Sequence, residues 1–472
     1  MTGAARKAAI VGGGVIGGGW AARFLLNGWD VALADPDPQA LRKVEAVLAN
    51  ARHALPMLYD RALPPEGRLS LAPLAEAVAG AVWVQESVPE RLDLKHRVLA
   101  EIEAAARPET PIASSTSGFT PTALRMGARH PGRIFVAHPF NPVYLLPLVE
   151  LVGAPDGAAD TLTGLGMYPL TVRGEIDAHI ADRLLEAVWR EALWLVKDGI
   201  ATTAEIDDAI RYGFGLRWAQ MGLFETYRIA GGEAGMAHFI AQFGPALKWP
   251  WTKLMDVPDL TPELIETIAG QSDAQSGHLS IRALERLRDN NLVAMLRALK
   301  QQNAAAGRLI AAHEATLPQI APKAGPLRTV DRTVPVDWTD YNGHMNESRF
   351  GQAFSDAADA VMRAIGADAA YVAGGHSYFT VDTHIRYLAE AHAGARITVD
   401  SQVIEGAGKK LRLFHRMRDG AGAEIATGEQ LLIHVSLETR RSAPPLPAVD
   451  ERLARLAVAH AALPAPTETE TQ

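Results

Sequence analysis

The glycine-rich turn from Gly12 to Gly17 constrains the fold of this chain more than any other segment. It follows a short apolar run, residues 7–11, that is expected to form a strand, and it precedes a predicted helix over residues 17–27 that ends at Gly28. Glycine is favoured after a helix because the left-handed conformation costs it little. Further short apolar runs alternate with helical stretches through the first third of the chain. This alternation predicts a doubly wound parallel sheet.

The spacing of the glycines within this turn predicts a dinucleotide site. Between a strand and a helix, glycine permits a tight bend at Gly12, close approach of the backbone to a pyrophosphate at Gly14, and close helix–strand packing at Gly17. Asp35 stands 18 residues after Gly17, where it can accept hydrogen bonds from ribose hydroxyls and repel a 2′-phosphate. We therefore predict NAD as the cofactor, although Asp35 would also suit a solvated turn before Pro36. The predicted contacts on the turn itself are Gly12, Gly14, Val15, Ile16 and Gly17.

Composition limits the class of protein. With 472 residues the chain exceeds a single core, and 48% hydrophobic with 21% charged residues is typical of globular domains. The 46 basic and 54 acidic side chains give a net charge of −8, which argues against nucleic acid or an anionic membrane as partner. No cysteine occurs, so disulfides, thiolate metal sites and cysteine nucleophiles are excluded, and a cytoplasmic location is expected. We predict no metal site.

Changes in hydrophobic period divide the chain into five segments. From residue 181 the apolar residues recur at helical spacing, with helix starts at Thr202 and Thr261, whereas alternating runs after residue 395 predict antiparallel strands. Prolines and a glycine between these regions mark a linker. The predicted segments are an α/β domain over 1–180, an all-α domain over 181–316, a linker over 317–327, an α+β domain over 328–442 and a tail over 443–472.

A histidine and a carboxylate frame the segment from His138 to Glu150, which begins with a proline-punctuated turn and continues as an apolar, strand-like run. Oxidation of a secondary alcohol needs a base that titrates near neutral pH, and a carboxylate on the other ring nitrogen fixes the tautomer of the imidazole. Beside a nicotinamide, this pair indicates a dehydrogenase that acts on secondary alcohols. An isolated histidine could equally serve as a polar residue in a proline loop.

Together these motifs resemble the 3-hydroxyacyl-CoA dehydrogenase family over about residues 5–315. The resemblance rests on the glycine turn, on Ser87-Val88-Pro89-Glu90 followed by Lys95, on Ser114-Ser115-Thr116-Ser117, and on His138-Pro139-Phe140-Asn141-Pro142 with Glu150. It implies a Rossmann domain followed by a helical substrate and dimerisation domain. It also implies that His138 is the catalytic base, that Glu150 orients it and that Ser117 binds the substrate oxygen. Glu90 and Lys95 would belong to the surroundings of the nicotinamide ribose.

Two departures from the family pattern indicate the substrate. Asp182 stands where the family usually has an asparagine, and Tyr144 where acyl-CoA members often have a proline. A carboxylate together with aromatic rings suits a trimethylammonium alcohol, and the chain resembles the carnitine-oxidising branch of the family. This resemblance implies L-carnitine as substrate, with Asn141, Tyr144 and Asp182 as its contacts; alternatively, Asp182 pairs with Arg183 or another cation. The aromatic residues that could surround the ammonium group are Trp189, Trp194, Tyr212, Phe214, Trp218, Phe224 and Tyr227.

A separate motif, Asp340-Tyr341-Asn342-Gly343-His344-Met345-Asn346, precedes a predicted helix over residues 348–365. It resembles the hot-dog acyl-CoA thioesterases, whose pattern Asp-x-x-Gly-His-x-Asn is followed by an aromatic residue, here Phe350. The resemblance covers residues 328–442 and implies that Asp340 is the general base or nucleophile on a short thioester, betainyl-CoA. His344 and Asn346 could instead only shape the turn, and hot-dog domains also act as pure ligand binders.

The favoured hypothesis is a bifunctional enzyme that oxidises L-carnitine with NAD and hydrolyses betainyl-CoA. One alternative is a fatty-acid 3-hydroxyacyl-CoA dehydrogenase with a short-chain thioesterase domain. Another is a structural or sensor protein that binds NAD without turnover. Because hot-dog domains pair and the dehydrogenase family commonly dimerises, the resemblance implies a homodimer.

Overall fold

The computed structural model describes residues 6–230, 235–243, 245, 251–253, 259, 261–317 and 325–466. These residues fall into two compact units, one within Met1–Leu55 and Pro64–Ala315, the other within Pro56–Leu63 and Thr316–Gln472. The first unit holds both the predicted α/β and the predicted all-α regions. Within the described part of the chain, none of the helices combines the length and the apolar character that a bilayer span requires.

An eight-stranded sheet with the order β3-β2-β1-β4-β5-β6-β7-β8 organises the first half of the first unit. Its central strands are almost completely buried, as expected of a sheet that helices cover on both faces. The strands are β1 (Lys7–Val11), β2 (Asp30–Ala34), β3 (Leu69–Leu71), β4 (Trp83–Glu86), β5 (Ile112–Ser114), β6 (Ile134–Pro139), β7 (Leu148–Val152) and β8 (Tyr168–Val172). The helices between them are α1 (Val15–Leu26), α2 (Ala40–Ala54), α3 (Leu74–Val78), α4 (Leu92–Ala105), α5 (Pro121–Leu124) and α6 (Ala158–Thr163).

The predicted Rossmann sheet is confirmed, with one ladder that runs against the prediction of parallel pairing. Strand β7 pairs with β6 in the antiparallel direction, whereas the other neighbours in this sheet are parallel. The chain between Pro139 and Leu148 is too short for the helical crossover that a parallel pair needs. The register of this ladder places His138 directly opposite Glu150.

Between residues 181 and 316 the secondary-structure elements of the described residues are all helices, which confirms the predicted helical region. Thr202 forms the predicted capping box with Glu205, and the Thr261 side chain caps the helix that begins at Pro262. The helices are α7 (Ala181–Lys197), α8 (Thr203–Ala209), α9 (Gly215–Ala230), α10 (Gly235–Phe243), α11 (Pro262–Ser276), α12 (Ile281–Gln301) and α13 (Ala305–Thr316). The apolar row that predicted α7 is largely exposed, since Leu184 and Trp189 are 60% and 58% accessible.

The second unit is an antiparallel sheet wrapped around one long helix, which confirms the predicted hot-dog architecture. Phe350, Phe354 and Ala357 of that helix are buried against the sheet, and a Cβ atom at Gly428 would lie 2.8 Å from the Phe354 ring. Glycine therefore lets helix and sheet approach closely. The elements are β9 (Leu327–Thr333), α14 (Glu347–Ala364), α15 (Ala369–Ala373), β10 (His376–Tyr387), β11 (Arg396–Ala407), β12 (Lys410–Asp419), β13 (Glu424–Ser436), β14 (Arg441–Ser442) and α16 (Pro447–Ala461), with the sheet order β10-β13-β12-β11-β9.

The prediction of a C-terminal tail from residue 443 is wrong for helix α16. This helix packs on β11 and buries Val449 and Leu453, whose side chain fills the space beside Gly406. Its composition resembles a tail, but its apolar residues recur at helical spacing after Pro447. Of the predicted linker, residues 318–324 lie outside the described residues, as do residues 467–472 of the tail.

Candidate active sites

The glycine turn is built around two positions where the backbone leaves no room for a side chain. Gly12 has a φ of +100°, and a Cβ atom there would lie 2.6 Å from the Ser87 carbonyl oxygen. A Cβ atom at Gly17 would lie 1.8 Å from the Gly12 carbonyl oxygen. These contacts hold the start of α1 against the end of β1. The N–H groups of the first turn of α1 are therefore presented at the carboxyl end of the sheet, where a phosphate is favourably bound.

Gly14 differs, because a Cβ atom at this position would meet no protein atom within 4 Å. The open space lies directly in front of the helix start, and the neighbouring Val15 is 60% exposed. Glycine at this position is therefore not required by packing within the chain. The turn has the shape that a pyrophosphate needs for close approach, and its residues fit a bound dinucleotide.

We expect Gly14→Ala to weaken NAD binding by about 10–100-fold while leaving the melting temperature nearly unchanged, because the added methyl group obstructs only the ligand. Gly17→Ala is the matched control, since the same methyl group there collides with the Gly12 carbonyl and should lower the melting temperature. Titration calorimetry with NAD and thermal melts of both variants measure the two effects. Unchanged NAD affinity in a folded Gly14→Ala protein would contradict the proposed phosphate position.

Asp35 closes the other side of the turn at the end of β2. Its carboxylate accepts hydrogen bonds from the Gly13 amide at 2.6 Å and the Asp37 amide at 2.7 Å. These contacts hold the acid beside the glycine turn, on the side where the adenosine ribose of a dinucleotide lies in this fold. The predicted ribose contact stays a prediction, and Asp35 has a local structural role besides it.

Lys95 occupies a buried position rather than a surface that faces a ligand. It is 1% exposed, and its Nζ lies 2.9 Å from Glu86 Oε1 and 3.3 Å from Glu90 Oε2. Glu86, which the sequence analysis missed, is completely buried at the end of β4 and also accepts a hydrogen bond from the Ser114 hydroxyl. An acid at the carboxyl end of a parallel strand was the available signal. Lys95 can therefore influence a cofactor through the two acids that it pairs with, Glu86 and Glu90.

Glu90 links this ion pair to the loop that carries Ser117. Its carboxylate accepts hydrogen bonds from the Thr116 hydroxyl and the Gly118 amide, the two residues that flank Ser117. Ser117 itself is exposed, so its hydroxyl is accessible to a substrate. Glu90 and Lys95 thus support the position of the predicted substrate-binding serine.

His138 and Glu150 form the hydrogen-bonded pair that the sequence predicted. The imidazole Nδ1 lies 3.1 Å from Glu150 Oε2, and both residues are nearly inaccessible to solvent. The other oxygen of Glu150 accepts hydrogen bonds from the Ile180 and Ala181 amides, each at 2.9 Å. Burial raises the pKa of Glu150, but the hydrogen bonds from His138, Ala181 and Ile180 outweigh it and hold the pKa below its usual value. Glu150 therefore stays a carboxylate that can orient the ring.

Asp182 lies on the opposite side of the imidazole, with its Oδ2 3.6 Å from His138 Nε2. The first turn of α7 places it there, because the same turn donates its amides to Glu150. Burial is the main cause that raises the pKa of Asp182 above its usual value, opposed by His138 and increased by Glu150. The structure thus brings a second carboxylate, in the position that usually holds asparagine, to the ring nitrogen that faces away from Glu150.

Two more rings surround His138 and were not among the predicted site residues. The Phe140 ring lies edge-on at 4.8 Å, and the His179 ring lies at 5.6 Å, measured between ring centroids. His179 is fully buried, adopts a left-handed φ of +52°, and its Nε2 donates to the Thr116 carbonyl oxygen at 3.2 Å. Such a conformation costs a non-glycine residue about 1–3 kcal/mol. The available sequence signal was a histidine three residues before Asp182.

The other predicted substrate contacts lie in different surroundings. Asn141 is exposed beside His138 in the chain and precedes a cis peptide bond to Pro142. Tyr144 is buried, and its hydroxyl donates to Asp289 at 2.6 Å on helix α12. Burial is the first cause that raises the pKa of Tyr144, followed by its contact with Asp289. Tyr144 therefore joins the sheet to the helical region, and its contact with substrate stays a prediction.

The predicted aromatic residues of the helical region have varied partners. Lys253 Nζ lies 3.9 Å from the centre of the Trp194 ring, so a protein cation already covers one face of that ring. Phe214 packs on Trp218, with their ring centroids 4.5 Å apart. Tyr227 stacks on Phe239. The aromatic ring that the structure places against His138 is Phe140 instead.

The second candidate site is the turn that leads into helix α14. Asp340 Oδ1 accepts hydrogen bonds from the Asn342 amide at 2.8 Å and the His344 amide at 3.2 Å, while the Asn346 side chain caps the helix at the Ser348 amide. Gly343 has a φ of +79°, which the tight turn requires. One carboxylate oxygen of Asp340 thus shapes the turn. The Asn346 side chain caps the helix that follows the turn, and a role for Asp340 in catalysis stays a prediction.

Family models match three parts of the chain. Family models match for the 3-hydroxyacyl-CoA dehydrogenase NAD-binding domain over residues 7–170, the 3-hydroxyacyl-CoA dehydrogenase C-terminal domain over 179–259 and the thioesterase-like superfamily over 334–453. A solved NAD+-dependent dismutase, 5-formyl-3-hydroxy-2-methylpyridine 4-carboxylic acid 5-dehydrogenase, is 27% identical with a TM-score of 0.51, covering 63% of this chain and 99% of that one. The matched share of this chain is about as long as its first unit.

Relatives of known name extend the similarity over nearly the whole chain. A Ruegeria pomeroyi protein named L-carnitine dehydrogenase/betainyl-CoA thioesterase is 63% identical, covering 97% of this chain and 97% of that protein. A Rhizobium meliloti protein of the same name is 51% identical, covering 98% of this chain and 97% of that protein. A Pseudomonas putida protein named L-carnitine dehydrogenase is 52% identical, covering 63% of this chain and 95% of that protein. The chain therefore belongs to the 3-hydroxyacyl-CoA dehydrogenase family of NAD-dependent enzymes and carries a C-terminal thioesterase-like domain.

Proposed function

We propose that the chain is a bifunctional enzyme that oxidises L-carnitine to 3-dehydrocarnitine with NAD and hydrolyses betainyl-CoA to glycine betaine and CoA. The names of relatives that match nearly the full length support both activities. A relative named only L-carnitine dehydrogenase matches 63% of this chain, which supports assignment of the oxidation to the N-terminal part. The thioesterase-like match over residues 334–453 supports assignment of the hydrolysis to the C-terminal unit.

The arrangement around His138 supports its role as the base of the oxidation. A carboxylate such as Glu150 can only accept a hydrogen bond, so in the neutral imidazole of His138 the proton is on Nδ1 and the lone pair is on Nε2. That lone pair takes the hydroxyl proton of the substrate as the C–H bond breaks, and Glu150 stabilises the imidazolium that results. NAD, when bound at the glycine turn, would supply the acceptor for the hydride. Ser117 is proposed to bind the substrate oxygen from its exposed loop.

The contact that carries the choice of substrate is Asp182 beside His138 Nε2. A substrate hydroxyl that reaches this nitrogen also lies close to the Asp182 carboxylate, and carnitine carries its trimethylammonium group on the carbon next to the carbinol. The aromatic ring of Phe140 lies against the imidazole of His138. Carboxylate and aromatic ring together suit a quaternary ammonium group. A neutral acyl chain would gain nothing from this negative charge.

We expect Asp182→Asn to raise KM for L-carnitine by about 10–100-fold, because it removes a partly desolvated charge opposite the ammonium group. NAD affinity should stay within a factor of about two. Asp177→Asn, on an exposed acid of the preceding loop, is the matched control. The measurement is NADH formation with L-carnitine and, separately, with 3-hydroxybutyryl-CoA. Turnover of the CoA substrate alone would favour the fatty-acid alternative and overturn the carnitine proposal.

In the C-terminal unit we propose that Asp340 acts as general base. Water adds to the thioester carbonyl as its proton passes to Asp340, the carbonyl oxygen becomes negative, and the C–S bond then breaks with return of the proton to the CoA sulfur. The turn leads directly into α14, and the partial positive charge of a helix start stabilises such an oxyanion. Asp340 uses one oxygen for the turn, and the carboxylate has a second oxygen for this chemistry.

We also infer that the enzyme is a cytoplasmic homodimer. The edge strand β10 leaves Phe379 and Val381 exposed, and helix α7 exposes Leu184 and Trp189. Long apolar edges and exposed apolar helix faces are typical of surfaces that a second copy covers. The absence of cysteine fits a reducing compartment.

A further inference from the structure

We propose that His344, Glu390 and His392 form a binding site for a divalent transition-metal ion of the zinc type. One potential ligand atom from each of the three side chains lies within 4.8 Å of the other two. No metal site was predicted from the sequence, in which His344 and His392 are 48 residues apart. The site goes beyond the two proposed reactions and does not depend on either of them.

Strand pairing brings the three side chains to one face. An isolated antiparallel bridge pairs His344 with His392, so the two side chains lie directly opposite each other. Their rings are 4.9 Å apart between centroids. Glu390 precedes His392 by two residues, and its Oε2 lies 3.4 Å from His344 Nε2. The backbone bridge therefore places the two histidines, and the Glu390 side chain completes the cluster.

The tautomer of His392 is the one that binds metal. Its Nδ1 lies 3.2 Å from the Gly343 carbonyl oxygen, and a carbonyl can only accept, so Nδ1 carries the proton and Nε2 offers its lone pair. A backbone carbonyl on the second nitrogen is the usual support of a metal-bound histidine. Imidazole and carboxylate ligands together suit zinc.

The distances allow one ion to bind all three groups. Two ligand atoms on one tetrahedral zinc lie roughly 3.4 Å apart, since each bond is about 2.0–2.2 Å. The side chains of His344 and Glu390 are 35% and 65% exposed, so a small rotation closes the remaining gap. Three protein ligands leave a fourth position for water or a ligand oxygen. Because the Asp340 amide donates to the His344 carbonyl oxygen and the His344 amide donates to Asp340 Oδ1, the ion would be held by the same turn as the proposed hydrolytic carboxylate.

The test is Zn2+ binding to the full-length chain by titration calorimetry, repeated with Co2+ and visible absorption. We expect one ion per chain in the wild type and an affinity at least about tenfold weaker in His392→Ala and in Glu390→Gln. His384→Ala, on an exposed histidine of β10 outside the cluster, should bind like the wild type. Thermal melts and NADH formation verify that each variant is folded. No binding to the wild type, or equal affinity in wild type and His392→Ala, would overturn the proposal.

Discussion

Replacement of His138 by glutamine should lower the rate of L-carnitine oxidation by about 10²–10⁴-fold, the contribution typical of a positioned general base. The Ile180 and Ala181 amides still donate to Glu150 in this variant, so the buried carboxylate keeps partners. It has no lone pair of suitable basicity at the position of Nε2, and the hydroxyl proton then has no acceptor as hydride leaves. NADH formation under saturating substrate measures the loss, which should appear in kcat.

NAD affinity should change little in this variant, because the glycine turn and Asp35 are separate from His138 in the sheet. Hydrolysis of betainyl-CoA should be unchanged, since it is assigned to the other compact unit. His130→Gln, on an exposed histidine of the same unit, is the matched control and should retain full oxidation. A His138→Gln enzyme with near-normal kcat would remove this residue from the chemistry, whatever the substrate.

Replacement of Asp340 by asparagine should reduce release of CoA from betainyl-CoA by about 10²–10⁴-fold. Asparagine keeps the side-chain oxygen that accepts from the Asn342 and His344 amides, so the turn should remain folded. The substitution removes the negative charge and the basicity that a proton transfer from water requires. Free thiol formation measures the hydrolysis, and NADH formation with L-carnitine should be unaffected.

Asp419→Asn is a closely matched control for this variant. Asp419 Oδ1 also accepts from amides two and four residues later, those of Ala421 and Ala423, in the turn between β12 and β13. If both variants lost hydrolysis equally, the effect would lie in turn stability and not in catalysis. Loss of both oxidation and hydrolysis in Asp340→Asn would contradict two independent active sites.

Local patterns were sufficient for much of this protein. The glycine turn predicted β1, α1 and the NAD-binding fold because its steric demands involve only neighbouring residues, and the structure shows those demands at Gly12 and Gly17. Capping at Thr202 and Thr261 was predictable for the same reason. The prediction of a tail was wrong for α16 because it relied on the amino-acid composition of this segment. Its apolar residues nevertheless recur at helical spacing.

The sites themselves depended on contacts between distant residues. The sequence by itself determined that a histidine, two acids and a serine were available, and the named family supplied their roles. Only the tertiary structure decided that the β6–β7 register sets Glu150 opposite His138, that Lys95 is buried against Glu86, and that the start of α7 brings Asp182 to the imidazole. Strand register and helix docking are decided by the burial of apolar surface over the whole core. No periodic pattern within a short stretch of the sequence therefore indicates them.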